Sequence, residues 1–99
     1  MFNLKAMPRF YEEIFNSGKE IRKAVETLDH DEGIRAIIKF ENRKAMLFIT
    51  RGVIKGYSVA IYDFSTWPHK EQLYFGSFEG SNSVMDFASK YLKGKVYKY

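Results

Sequence analysis

The spacing of apolar residues in this 99-residue chain changes from a helical to a strand period near Gly33. Between Pro8 and Leu28 the apolar side chains recur at the spacing of one face of an α-helix. After Gly33, apolar and polar side chains alternate, as they do in a strand that buries one face. The sequence therefore predicts an amphipathic helix followed by antiparallel strands.

A small-residue pair interrupts the predicted first helix. Ser17 and Gly18 stand between Ile14 and Ile21, which belong to the same apolar stripe. Two arrangements remain open, because one helix can pass through a small-residue contact or two short helices can meet at a bend. The stripe consists of Phe10, Ile14, Ile21, Val25 and Leu28.

Turn-forming residues divide the middle of the chain into a meander of four strands. Glu41-Asn42-Arg43 and Arg51-Gly52 predict two tight turns. Gly56 predicts either a bulge or a close backbone approach inside the third strand. The predicted strands are Ile34 to Phe40, Lys44 to Thr50, Val53 to Tyr62 and Gln72 to Phe78.

A second helix is predicted near the end of the chain. Ser83 and Asp86 have the spacing of a capping box, so the helix is expected to run from Val84 to Lys93 and to stop at Gly94. Residues 95–99 add a short edge strand or fray. The predicted fold is one α+β domain, residues 1–99, in which two amphipathic helices cover one face of an antiparallel four- to five-stranded meander sheet.

The alternation also predicts what each face of the sheet carries. Aromatic rings can stack on bases while cations follow phosphates, so the face opposite the helices is a candidate nucleic-acid interface. Two other interpretations stay open. The rings are present because aromatic residues form strands well, with cations that keep the face soluble, or a second copy of the chain covers this face. The helices are expected to cover Ile34, Ile38, Leu47, Ile49, Val59 and Ile61, and the opposite face to carry Arg35, Lys39, Lys44, Phe48, Tyr62 and Tyr74.

Two further segments are candidate partner surfaces. Trp67 lies in the longest predicted loop, where it either binds a partner or folds back over the edge of the core. Residues 90–99 repeat Lys and Tyr, a pattern that suits phosphates and ring stacking but also an ordinary helix end.

The sequence contains no recognisable catalytic or metal-binding motif. It has no cysteine, which excludes disulfides, thiolate nucleophiles and zinc-thiolate sites. His30 lies among Asp29, Asp31 and Glu32, but four consecutive side chains rarely converge on one ion, and His69 lies in another loop. We therefore expect a non-enzymatic protein without metal or cofactor.

The net charge indicates the class of partner, and the absence of export signals indicates where the protein is located. Sixteen Lys and Arg against twelve Asp and Glu give a net charge of +4, which favours an anionic partner, and nucleic acid is the first to consider. The sequence carries no run of about 18 apolar residues and no secretion signal, so we expect an intracellular protein. The alternative function is a homodimeric or protein-interaction module.

The composition as a whole resembles that of a viral group. A short chain without cysteine, rich in Lys, Ile and Tyr, is similar to the small uncharacterised proteins of crenarchaeal viruses. The resemblance implies a thermostable, virus-encoded protein in the host cytoplasm that binds a partner rather than catalysing metabolism.

Overall fold

A six-stranded antiparallel sheet and two helices make up the fold in the computed structural model, which describes residues 14–15, 17–53, 55–64, 71–92 and 95–98. The α+β class predicted from the sequence is confirmed. The elements are β1 (Ile14–Phe15), α1 (Gly18–Glu26), β2 (Gly33–Phe40), β3 (Arg43–Arg51), β4 (Tyr57–Asp63), β5 (Gln72–Phe78), α2 (Ser81–Ala88) and β6 (Val96–Lys98).

The strand order in the sheet is β1-β6-β2-β3-β4-β5. Strands β2 to β5 follow one another as the predicted meander. Strand β6 lies between β1 and β2, with Ile34 opposite Lys98 and Ile14 opposite Tyr97. Residues 96–98 therefore form an internal strand, and neither the edge strand nor the frayed segment expected from the sequence is present there.

The connection between β2 and β3 is a two-residue turn. Glu41 and Asn42 have φ angles of 50° and 64°, and Phe40 lies opposite Arg43. Positive φ at both central positions is the conformation of a type I′ turn, whose twist matches that of the strands it joins. The turn predicted at residues 41–43 is present and fixes the register of the hairpin.

Gly56 lies in the turn before β4 and not in a strand. Its φ is 80°, and a Cβ atom at this position would lie 2.9 Å from the carbonyl oxygen of Phe78. Only glycine fits this conformation and this close approach to β5. Of the two alternatives predicted for Gly56, the close backbone approach is present and the bulge is not. Strand β4 begins only at Tyr57, and the register of β4 and β5 shifts between Ile61 and Tyr62.

The first helix is shorter than the apolar stripe predicts. Ile14 and Phe15 form β1, and α1 begins at Gly18 with Ser17 as its N-cap. The Ser17 hydroxyl accepts a hydrogen bond of 3.2 Å from the Glu20 N–H, so the small-residue pair starts the helix instead of interrupting it. Pro8 and Phe10 lie outside the described residues.

Two side chains of the sheet bind the end of α1. The Tyr57 hydroxyl donates to the Val25 carbonyl at 3.1 Å, and the Arg51 guanidinium donates to the Leu28 carbonyl. The last carbonyls of a helix have no partner inside the helix. The Tyr57 bond is a further one to a carbonyl in the last turn of α1, and the Arg51 bond holds the segment just after the helix, so both anchor this end of α1 to the sheet.

The second helix begins earlier and ends earlier than predicted. Its N-cap is Gly80, and Ser83 occupies the third helical position, where its hydroxyl accepts from the Gly80 N–H at 3.3 Å and donates to the Gly80 carbonyl at 3.0 Å. The predicted role of Ser83 as N-cap is therefore wrong. The helix ends at Ala88 rather than Lys93, although the Leu92 N–H still donates to the Ala88 carbonyl.

Both helices contribute to one core on one face of the sheet. Val25 of α1 and Val84 of α2 are fully buried among the strand side chains. Each fully buried aliphatic side chain contributes roughly 1.5–3 kcal/mol to stability. The six sheet residues predicted to face the helices all belong to this core, namely Ile34, Ile38, Leu47, Ile49, Val59 and Ile61.

Candidate nucleic-acid interface

The sheet face opposite the core carries rings and cations. Side chains alternate between the faces along each strand, and cross-strand partners share a face, so the registers assign this set directly. In the described part of the chain, both helices lie on the other face. We call this surface the open face; its members include Arg35, Ile37, Lys39, Lys44, Met46, Phe48, Ala60, Tyr62, Phe75 and Tyr97.

One row of the open face crosses five strands. Arg35 of β2 lies opposite both Tyr97 of β6 and Phe48 of β3. The row continues through Ala60 of β4 to Phe75 of β5. Because neighbouring strands lie about 4.8 Å apart, each ring-bearing position in the row is roughly 10 Å from the next one.

The next row along the strands adds a fourth ring. Tyr62 lies opposite Met46, and its ring meets that of Phe48 edge to face, with 5.9 Å between centroids and 72° between planes. Phe48 and Tyr62 are half-buried, whereas Phe75 is 58% exposed and Ile37 is 50% exposed. The open face therefore presents aromatic and aliphatic surface that a ligand can contact.

Two lysines face each other at the turn end of the open face. Lys39 lies directly opposite Lys44 across the β2–β3 ladder, and both side chains are exposed. Like charges in directly opposite positions destabilise an antiparallel pair. The Lys44 ammonium also lies 5.1 Å from the centroid of the Phe64 ring. An anion bound between the two lysines would relieve their repulsion.

The open face carries no carboxylate on the described strands. Asp63 is the acidic residue of these strands, and it lies on the helix-covered face, opposite Ala45. It is buried, and its carboxylate lies 2.9 Å from the Arg43 guanidinium, which also approaches Glu71 at 3.8 Å. Lys39 and Lys44 thus give the turn end of the open face a positive charge, and Arg35 adds a third cationic side chain to the same face.

The structure places five of the seven predicted site residues on the open face. Tyr74 is an error of the sequence analysis, because it lies opposite Ile61 on the helix-covered face. Its ring stacks on Phe87 of α2 with 4.8 Å between centroids, and the ring of Phe40 lies 6.4 Å away. Trp67 lies outside the described residues. The five are Arg35, Lys39, Lys44, Phe48 and Tyr62.

Two rings of the open face were missed by the sequence analysis. Phe75 follows Tyr74 directly and lies on the opposite face from it, but the pairing of Tyr74 with Ile61 that decides this is a contact of the folded sheet. Tyr97 belongs to the Lys/Tyr repeat near the end of the chain, but its position depends on the pairing of β6 with β2. The face on which Tyr97 lies therefore depends on a long-range contact, which the local sequence pattern does not show.

The acidic segment after α1 forms an exposed turn. A nitrogen of the His30 ring, Nδ1, lies 3.0 Å from the Gly52 carbonyl oxygen. The Glu32 carboxylate accepts the Asp29 N–H at 2.8 Å and lies 3.5 Å from the Lys98 ammonium. The hydrogen bond from Asp29, with a smaller contribution from Lys98, lowers the pKa of Glu32. Within the described residues, no group of three or more His, Asp or Glu side chains is arranged to hold a metal ion.

Comparison with known proteins assigns the chain to no family. No known protein family, curated protein or solved structure matches the chain. Among the described residues, no helix has the length and apolarity needed to cross a membrane. The resemblance to crenarchaeal viral proteins and the thermostability it implies stay predictions.

Proposed function

We propose that this chain is a non-enzymatic binding protein whose open face binds single-stranded nucleic acid. The observation that carries the proposal is the row of rings across five strands, with Lys39 and Lys44 beside it on the same face. Sheet modules that bind single strands combine these two elements, since rings stack on bases and cations neutralise phosphates.

The arrangement suggests how a single strand would lie. Phe48 and Phe75 offer stacking positions near the middle and the β5 end of the row. Each base stacked on an aromatic side chain contributes about 1–3 kcal/mol. Lys39 and Lys44 stand toward the β2–β3 turn, where their ammonium groups would meet the phosphate backbone.

A single strand fits the open face better than a duplex does. Stacking on Phe48 and Tyr62 requires an accessible base face, and base pairing in a duplex stacks those faces against neighbouring base pairs. Duplex binding would use the cations alone. We therefore expect the rings to contribute to single-strand affinity and little to duplex affinity.

The direct test is fluorescence anisotropy with labelled single- and double-stranded DNA and RNA at low and moderate salt. Affinity should fall steeply as salt increases, because each neutralised phosphate releases counterions. Lys39→Glu should weaken binding to every sequence alike. Lys19→Glu is the matched control, since it makes the same charge change in the first turn of α1, on the other side of the sheet.

Two results would contradict the proposal. One is no binding at micromolar protein in low salt. The other is an equal loss of affinity in Lys39→Glu and Lys19→Glu, which would show that overall charge, and not the open face, attracts the nucleic acid.

A protein-interaction role is the second candidate function, and one observation favours it. Ile37 and Phe75 are large apolar side chains that are half exposed or more on the open face, where a protein partner would bury them. An apolar interface would persist at high salt, whereas nucleic-acid binding would weaken. A partner complex that forms in high salt and is lost in Phe48→Glu would support this candidate over the first.

A further inference from the structure

The two edges of the sheet differ in how they are protected. One edge is β1, which has only two residues. The other edge is β5, which has seven residues, QLYFGSF, none of them charged and none of them proline. Sheet proteins guard exposed edges with short strands, charged residues or proline. Within the described residues β1 is a short strand, whereas β5 has none of these protective features.

The hydrogen-bonding direction of β5 follows from the bonds of β4. The Phe64 N–H donates to the Lys44 carbonyl of β3 at 2.9 Å, and the Asp63 N–H donates to the Glu71 carbonyl at 2.8 Å. Backbone groups alternate in direction along a strand, so the odd-numbered residues of β4 point toward β5.

This alternation determines which groups of β5 point outward. Val59 opposite Gly76 and Ile61 opposite Tyr74 are then hydrogen-bonded pairs. The residues between them in β5, Phe75 and Ser77, direct their N–H and C=O groups away from β4. In the described part of the chain, no strand pairs with this outer side.

We propose that β5 pairs antiparallel with β5 of a second copy, about a two-fold axis beside Gly76. The alternation of outward backbone groups along β5 and the two-fold symmetry then place Phe75 of each copy opposite Ser77 of the other. Each Phe75–Ser77 pair exchanges both N–H···O bonds, which satisfies the outward groups of both strands. This inference goes beyond nucleic-acid binding and does not depend on it.

The strand is self-complementary, which is why a second copy is the occupant. The absence of charge in β5 means that antiparallel self-pairing brings no like charges together. Gly76 would face itself in a non-hydrogen-bonded pair, where the Cα atoms approach most closely, to about 4.5 Å. Glycine places no side chain at that crossing. A two-fold pairing uses the β5 edge of both copies, so assembly closes at a dimer.

The symmetry of this pairing also determines where the open faces lie. A two-fold axis between antiparallel edge strands is perpendicular to the sheet, so it keeps the open faces of both copies on the same side. Phe75, 58% exposed, stands at the junction. The ring rows of the two copies would therefore form one continuous surface.

The test is the oligomeric state of three proteins, measured by sedimentation across a range of concentrations in high salt. The unsubstituted protein should be a dimer. Ser77→Pro removes an outward N–H from each copy and should weaken the dimer about tenfold or more. Proline is tolerated in an edge strand where the N–H would face solvent, and circular dichroism checks that the fold persists. Ser77→Ala keeps the N–H and should remain a dimer, so it is the matched control.

Amide hydrogen exchange of the unsubstituted protein tests the same inference without any substitution. The Phe75 and Ser77 amides should exchange more slowly as protein concentration increases. Exchange that is independent of concentration would overturn the inference, also in the case that Ser77→Pro fails to fold.

Three sedimentation results would overturn it as well. One is a monomer at millimolar concentration. Another is equal dissociation of Ser77→Ala and Ser77→Pro. The third is a dimer that Ser77→Pro leaves intact and Phe48→Glu dissociates, because the open face would then be the interface.

Discussion

The two faces of the sheet are built from the same strands but have different chemistry. In β3, Ala45, Leu47 and Ile49 point into the core and are fully buried. The residues that alternate with them, Lys44, Met46 and Phe48, point to the open face and are exposed or half-buried. A shift of one position along a strand thus moves from a residue that stabilises the fold to one that is available for binding.

This comparison predicts opposite consequences for neighbouring substitutions. Changes on the helix-covered face should reduce stability and leave the chemistry of the open face intact. Changes on the open face should alter binding at little cost in stability. Matched pairs of adjacent residues test this separation most sharply.

The largest expected effect comes from Ile38 and its neighbour Ile37. Ile38 is 6% exposed, so Ile38→Asp places an unpaired charge in the core and should cost several kcal/mol, an amount similar to the total stability of a small domain. Ile37 is 50% exposed, so Ile37→Asp should leave the protein folded. Denaturant unfolding followed by circular dichroism compares the two, and equal destabilisation would contradict the assignment of the faces.

A second pair separates stability from binding with aromatic residues. Tyr74→Ala removes the ring that stacks on Phe87 and should lower the free energy of unfolding by about 1–3 kcal/mol. Phe48→Ala should cost about 1–3 kcal/mol of single-strand affinity and leave duplex affinity nearly unchanged. Thermal unfolding and anisotropy, measured on both variants, check the pair. Loss of single-strand affinity in a folded Tyr74→Ala protein would contradict the separation of stability and binding between the two faces.

Smaller effects are expected at Lys39, where a substitution should change stability and nucleic-acid affinity in opposite directions. Lys39→Gln removes the repulsion with Lys44 and should raise the free energy of unfolding by about 0.2–1 kcal/mol, while nucleic-acid affinity falls. Lys19→Gln is the control, because Lys19 lies in α1 and has no lysine opposite it in a ladder. Denaturant unfolding should show the gain in stability for Lys39→Gln alone. A loss of stability in that variant would mean that the two lysines do not repel each other.

The smallest effect is a pH dependence far from the open face. The pKa of Glu32 is lowered in the folded protein, mainly by the hydrogen bond from Asp29, so the carboxylate stabilises the fold above the unfolded pKa of about 4.3. That contribution is lost as pH falls through the folded pKa. Glu32→Gln should therefore reduce the fall in Tm between about pH 6 and about pH 3. An unchanged pH profile would show that Glu32 contributes nothing measurable.

The sequence predicts β2 and β3 well because polar and apolar residues alternate there. Arg35, Ile37 and Lys39 are separated by apolar residues whose burial fixes the face of each neighbour. In β5, Leu73, Tyr74 and Phe75 are all large and apolar, so the sequence pattern does not show which of them face the core. The pairing of Tyr74 with Ile61 decides the face, and that contact is visible only in the folded sheet.

The ends of the chain were harder to predict for a different reason. Ile14 falls in phase with the stripe of α1, yet it pairs with Tyr97, far away along the chain. Strands of two and three residues carry too little periodicity to identify them. Their positions depend on partners supplied by the rest of the sheet, which local spacing does not encode.

The central claim is that the open face, and not the helix-covered side, binds single-stranded nucleic acid. NMR titration of isotope-labelled protein with an unlabelled single-stranded thymidine oligonucleotide tests it residue by residue. The amide signals that shift most should belong to the open-face positions around Arg35, Lys39, Phe48 and Tyr62. Shifts concentrated in α1 and α2, or no shifts at saturating oligonucleotide in low salt, would contradict it.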